Sequence, residues 1–232
     1  MKKARSGPAA EERVFSAVLD AIMEHRLAPG ARLGERELSE LLGASRGAVR
    51  AALARLGHGL LVELRPNRGA VIANPTATET RDLFEARRVV ESAVVQRLAR
   101  ALTAKQLAEL RSYVAEEQKA YDRGDRKTGQ RLSIRFHKVL SELAGNAELD
   151  RYMEHLICRT PLLTLAYKGA QLAYCGVAEH REVIEALARR DPALAARRMS
   201  AHLTNLEGQL QVVEEAEPSS SLSVALSTAE SR

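Results

Sequence analysis

The sequence predicts a mainly α protein: an N-terminal winged helix-turn-helix domain with a small β-hairpin, followed by an all-α helical bundle. Three observations predict it. Aromatic residues make up only 3% of the 232 residues and Trp is absent, so packing must come from Leu, Ala, Val and Ile. That diet favours helices over β-sandwiches. Short β-prone runs are confined to the first third of the chain, and long helical periodicities fill the rest. The 45% hydrophobic and 28% charged content suits a chain that folds around a core, and the length allows one large domain or two small ones. No apolar run approaches the ~20 residues needed to span a bilayer. The basic start, Met1 to Pro8, has no apolar segment after it, which argues against a secretory signal. Cys158 and Cys175 are too few for a disulfide scaffold and read as thiols in a reducing cytoplasm.

Taken in order, residues 1–9 read as a disordered N-terminus and 10–74 as the winged helix-turn-helix domain. A first helix over ~10–25 places Val14, Val18, Ala21 and Ile22 on one face. Ala28-Pro29-Gly30 is a turn, and Arg32-Leu33 is at most a two- or three-residue strand. Glu35 to Leu42 reads as a short helix ended by Gly43. Ser45 caps a third helix over 46–57. Leu60–Leu64 and Ala70–Ala73 flank Arg65-Pro66-Asn67-Arg68-Gly69 as a hairpin. Residues 75–215 read as helices only: ~77–101, 104–122, 126–144, 147–168, 171–189 and 192–214. Thr76 with Glu79 and Thr103 with Gln106 form capping boxes, and Asp191-Pro192 opens the last helix. Pro161 should kink or break the fourth. Residues 216–232, rich in Ser, read as a disordered tail.

Charge is unevenly distributed. Residues 1–74 carry 12 Lys/Arg against 8 Asp/Glu, a net of +4, whereas 75–232 carry 23 against 22. Such an excess attracts polyanions without conferring specificity, and a solvated basic face is its plainest explanation. Placement decides for DNA. Val49, Leu53 and Leu56 form the inward stripe of the third helix, while Arg46 and Arg50 stand one turn apart on another face beside Ser45 and Gly47. An α-helix fits the major groove, and Arg pairs bidentately with guanine. Arg36 reaches the same groove or its phosphates, and Arg65, Asn67 and Arg68 form a basic wing tip suited to the minor groove or backbone.

The helical part carries a second pattern. His202 falls in the stripe Ala195, Met199, His202, Leu206, Leu210, and His180 in Val177, His180, Ile184, Leu187. His137 lies beside Phe136 and Leu140. Three histidines therefore face inward from three helices. Each alone reads as a hydrogen-bonded core residue; converging, they read as a metal site for Zn²⁺, Ni²⁺ or a similar ion. No inward carboxylate stands at helical spacing beside any of them, which argues against a three-His metalloenzyme. His25, His58, His155 and Tyr152 read as ordinary residues without a role.

Residues 22–74 resemble the GntR family of bacterial transcription regulators. The resemblance rests on Pro29-Gly30-Ala31-Arg32-Leu33, the run Glu35–Gly43, Ser45-Arg46 with Val49-Arg50, and Asn67-Arg68-Gly69. The remainder looks like the FCD effector domain of the FadR subfamily, through Arg87 with Glu91, Phe136-His137 with Gly145-Asn146, His180, and Asp191 leading to His202-Leu203. The resemblance implies that Arg36, Ser45, Arg46 and Arg50 contact DNA. Gly47-Ala48 and Ala51 stand where the family often has Thr-Pro and Glu, a departure that bears on operator sequence. It also implies a divalent metal held by His137, His180 and His202. Ser133 occupies the usual fourth-ligand position, and a neutral hydroxyl is a poor ligand beside a carboxylate. A bound ion would hold a carboxylate effector, with Arg87 or Arg159 on its other oxygens; either arginine could instead sit in a helix–helix ion pair, Arg87 with Glu91 especially. The implied protein is a cytoplasmic, homodimeric, ligand-responsive repressor binding a near-palindromic double-stranded operator. A sequence-nonspecific architectural DNA protein is the other competing reading.

Overall fold

A computed structural model of the chain describes residues 6–24, 26–65, 69–168, 176–212 and 222–226. These fall into two compact units. One comprises the chain up to Pro75 together with Pro161–Ala166 and the segment 222–226; the other comprises Thr76–Thr160 and Tyr167–Val212.

The first unit opens with helix α1 (Pro8–Met23), which starts on a proline whose missing N–H costs nothing in a first turn. It begins inside the stretch expected to be disordered. Val14, Val18, Ala21 and Ile22 are buried as their spacing predicts, and α1 packs on α3 (Arg46–His58). Strand β1 (Arg32–Leu33) and helix α2 (Glu35–Leu41) precede α3. Gly43, at φ +56°, takes the left-handed conformation that turns the chain between the two helices. Strands β2 (Val62–Arg65) and β3 (Gly69–Ile72) form the hairpin, and the antiparallel sheet runs β1-β3-β2 with Arg65 opposite Gly69 and Arg32 opposite Val71. Gly69 is required twice over. Its φ is +81°, and a Cβ there would stand 2.3 Å from the Leu33 carbonyl oxygen. Helix, helix, turn, helix and sheet make a winged helix-turn-helix.

The second unit is built from α4 (Ala77–Ala101), α5 (Ala104–Asp122), α6 (Arg126–Ala144), α7 (Ala147–Ile157), α9 (Val177–Ala188) and α10 (Pro192–Gly208). Both expected capping boxes are formed, Thr76 with Glu79 and Thr103 with Gln106, and Asp191 caps α10 through the Leu194 N–H. Helix α4 lies against α10 and α6, α5 against α6 and α9, and α9 against α10. Gly129 of α6 allows the α5–α6 approach, because a Cβ would fall 2.5 Å from the Tyr121 ring.

Several expectations need correction. The fourth helix is two, α7 and α8 (Thr160–Ala166), with the break at Cys158–Arg159. Proline disfavours helical geometry in the residue before it and is accommodated in a first turn, so the chain stops ahead of Pro161 and restarts around it. The second half is not purely helical: β4 (Tyr167–Lys168) pairs antiparallel with β5 (Gln211–Val212), and α10 ends at Gly208 rather than continuing to 214. Helix α9 starts at Val177; residues 171–175, expected to open it, lie outside the described residues, as do His25 and Cys175. The Ser-rich tail contains helix α11 (Leu222–Leu226), whose Leu222, Ala225 and Leu226 are buried against α1 and α2. Their i, i+3, i+4 spacing makes an apolar stripe that composition alone hides.

Candidate DNA-reading surface and candidate metal centre

On the first unit, Ser45 caps α3 by accepting the Ala48 N–H (3.3 Å), and Val49, Leu53 and Leu56 point into the core. Arg46, Gly47 and Arg50 consequently stand in water at the start of α3. Arg50 reaches Glu35 of α2 at 3.8 Å, bringing the first turns of both helices side by side with Arg36, itself 3.7 Å from Glu40. Both pairs are exposed, and such pairs are weak enough for phosphate to displace. Arg46 has no ion pair among the described residues. Arg55, by contrast, is spent on the fold: it binds Glu11 and Glu12 of α1 at 3.0 and 2.9 Å and lies over the Phe15 ring. Arg65 ends β2 exposed, 3.5 Å from Glu63. Asn67 and Arg68 lie outside the described residues.

On the second unit, His137 (α6), His180 (α9) and His202 (α10) are all buried and do converge. One ligand atom from each lies within 4.8 Å of the others. Two nitrogens each ~2.1 Å from one ion stand at most ~4.2 Å apart, so the rings would draw in slightly to share one. Ring centroids are 5.5 Å apart for His137–His180, 5.3 Å for His137–His202 and 4.9 Å for His180–His202. Phe136 stacks on His180 at 4.1 Å and closes one side. Ser133, one turn before His137, is buried, and its Oγ makes no hydrogen bond among the described residues. A buried hydroxyl in that state beside three converging imidazoles fits an ion or a ligand better than a dry core.

Sequence spacing missed the carboxylates. Each histidine Nδ1 lies against a glutamate: His137 against Glu91 at 2.5 Å, His180 against Glu117 at 2.9 Å, and His202 against Glu179 at 2.7 Å. Spacing along each histidine's own helix could not reveal them, because these partners come from neighbouring helices rather than from the same helical face. A signal was present: Glu117 continues the buried stripe Leu110, Val114, Glu117 of α5. The three glutamates all take Nδ1, so they are engaged with the rings themselves.

Arg87 is buried and donates Nε to Glu91 (2.7 Å) and Nη1 to Thr160 (3.3 Å), so the expected Arg87–Glu91 pair is formed. Burial pushes the Glu91 carboxyl up, but the charges of Arg87 and His137 and their hydrogen bonds outweigh it and hold the pKa at about 2. Arg159 stands half-buried between α7 and α8, where its charge helps, after the Thr76 cap, to lower Glu79. Cys158 keeps a thiol that burial pushes up to about 11, the state of an inert cysteine. No helix among the described residues is long and apolar enough to cross a membrane.

A winged helix-turn-helix joined in one chain to a helical unit with a buried polar cluster defines a DNA-binding transcription regulator rather than an enzyme. The comparisons make the family plain. Residues 82–205, more than half the chain, match the FCD domain, and residues 10–72 match the bacterial regulatory proteins of the gntR family; the protein belongs to the GntR regulators that carry an FCD domain. It is 23% identical over 203 residues to the HTH-type transcriptional repressor RspR of Escherichia coli K12, covering 87% of this chain and 89% of that one. It is 28% identical to a probable D-xylose utilization operon transcriptional repressor of Paenarthrobacter nicotinovorans, covering 86% and 87%. Among solved structures, a putative GntR transcriptional regulator from Rhodococcus sp. RHA1 matches with a TM-score of 0.76 at 27% identity, covering 87% of this chain and 97% of that one.

Proposed function

We propose that the protein is a cytoplasmic, metabolite-responsive repressor that binds a near-palindromic operator as a homodimer. The observation that carries the DNA half is the face of α3: Arg46 and Arg50 are exposed opposite the buried Val49–Leu53–Leu56 stripe, while Arg55 is tied to α1. In this reading Arg46 and Arg50 read bases in the major groove, Gly47 permits close approach, and Ser45 and Arg36 hold phosphates. Arg65, with Asn67 and Arg68, supplies the wing contact. Two copies related by a two-fold axis present two such helices to two half-sites. Two relatives named as repressors support the sign of regulation.

His137, His180 and His202 hold a divalent ion, zinc or nickel, with Ser133 lining the site without adding charge. When bound, the ion supplies a Lewis-acidic centre for a carboxylate oxygen. A small organic acid is the effector, and Arg159 is the candidate arginine left to meet it, since Arg87 is already committed to Glu91 and Thr160. Effector and operator then each alter the other's affinity, as linkage requires.

Selection of genomic fragments by the purified protein, followed by footprinting at ~150 mM salt, tests the reading, because nonspecific binding weakens steeply there. A discrete two-fold symmetric footprint, lost in the Arg46→Ala, Arg50→Ala double variant, is the expected result. Binding without a preferred site would instead mark an architectural protein.

A further inference from the structure

We infer that Glu91, Glu117 and Glu179 form a carboxylate shell that fixes the three histidines in one tautomer and balances the charge of a divalent cation. This rests on the metal-binding reading above. The glutamates come from three helices, α4, α5 and α9, and each takes the same ring nitrogen, Nδ1, of a different histidine. An ionised carboxylate only accepts hydrogen bonds, so each Nδ1 carries a proton and Nε2 is the nitrogen left for a metal. That is the form in which imidazole binds a metal, with the far nitrogen held by a carboxylate.

Packing alone gives no reason for this arrangement. Burying a carboxylate is costly unless its charge is met, and here two buried and one partly exposed carboxylate are gathered within one cluster. Among the described residues three glutamates and one arginine, Arg87, gather at this cluster, an excess of carboxylate that a dication would balance, and Ser133 adds no charge.

The three glutamates are not equally provided for. Glu91 is also held by Arg87, and Glu179 also accepts the Asn205 amide at 2.7 Å and is partly exposed. Glu117 is fully buried, takes its hydrogen bond from His180 alone among the described residues, and its Oε1 takes none. Its charge depends most on the cation, so the shell has a rank order, with Glu117 first.

The experiment titrates Zn²⁺ into the full-length protein against a competing chelator, for wild type, Glu117→Gln and Glu179→Gln. Glutamine can still accept from Nδ1 while removing the charge. Glu117→Gln should lose ~10–100-fold in zinc affinity, the range seen when such supporting carboxylates are removed, and Glu179→Gln should lose less. Nitrogen-15 spectra of the imidazoles in metal-free wild type should show all three rings protonated at Nδ1. Glu179 is partly exposed, so its variant retains the fold if Glu117→Gln does not. Unchanged zinc affinity in the variants that fold, or Nε2-protonated rings in wild type, overturns the shell while leaving the metal site intact. A wild-type protein that binds no zinc overturns both.

Discussion

The two units treat charge in opposite ways. In the winged unit Arg36, Arg46, Arg50 and Arg65 stand in water, and where they meet carboxylates the pairs are long and exposed. In the helical unit Arg87, Glu91, Glu117 and the three histidines are buried, and the pairs Arg87–Glu91, His137–Glu91, His180–Glu117 and His202–Glu179 close at 2.5–2.9 Å. A surface that must grip a polyanion keeps its cations loosely held, so that exchanging a carboxylate for a phosphate costs little. A buried cluster of paired charges is screened little by water, so that any charge placed inside it is felt strongly.

That contrast makes unequal predictions. Arg87→Met should be the most damaging to stability, by about 3–5 kcal/mol in urea unfolding, because it leaves Glu91 buried without its cation. A loss under 1 kcal/mol would mean that Glu91 is met by another group. Gly69→Ala follows at about 1–3 kcal/mol, from a left-handed backbone and a Cβ driven against the Leu33 carbonyl; operator affinity of the folded fraction should fall with it as the wing shifts. Arg46→Ala should cost about 1–3 kcal/mol of discrimination between operator and scrambled DNA, with stability altered by less than ~0.5 kcal/mol. Unfolding of this variant would show that the arginine is structural. Arg36→Ala should do least: it should lower the salt slope of binding by ~0.9 for each phosphate it no longer neutralises, equally on all sequences.

Much of the fold was written locally and therefore legible. Ser45, Thr76, Thr103 and Asp191 mark helix starts by their own hydrogen bonds to the backbone, and each does so in the structure. Pro161 announced a break, although placing it at Cys158–Arg159 requires knowing that a proline restarts a helix more readily than it ends one. The histidines were legible because each interrupts an apolar stripe. Their partners were not, since Glu91, Glu117 and Glu179 reach His137, His180 and His202 across helix boundaries, where spacing along one helix carries no information. Glu91 and Glu117 advertised themselves, each as a charge in a buried stripe. The β4–β5 pairing escaped because two-residue strands leave no period to detect, and α11 because its single i, i+3, i+4 stripe sits in a Ser-rich segment whose composition reads as a tail.

Helix α11 has a consequence in time. Leu222, Ala225 and Leu226 cover α1 and α2 of the DNA-reading unit, and the Arg26 guanidinium donates to the Ala225 carbonyl. The residues up to Pro75 leave the ribosome well before residue 222 is made. At ~5–20 residues per second, that interval is roughly 7–30 s. During it the winged unit has an open apolar seam while the entire helical unit is being synthesised. A nascent chain stalled or cut between the two would carry the whole winged helix-turn-helix still missing the segment that covers it, a species for chaperones to hold.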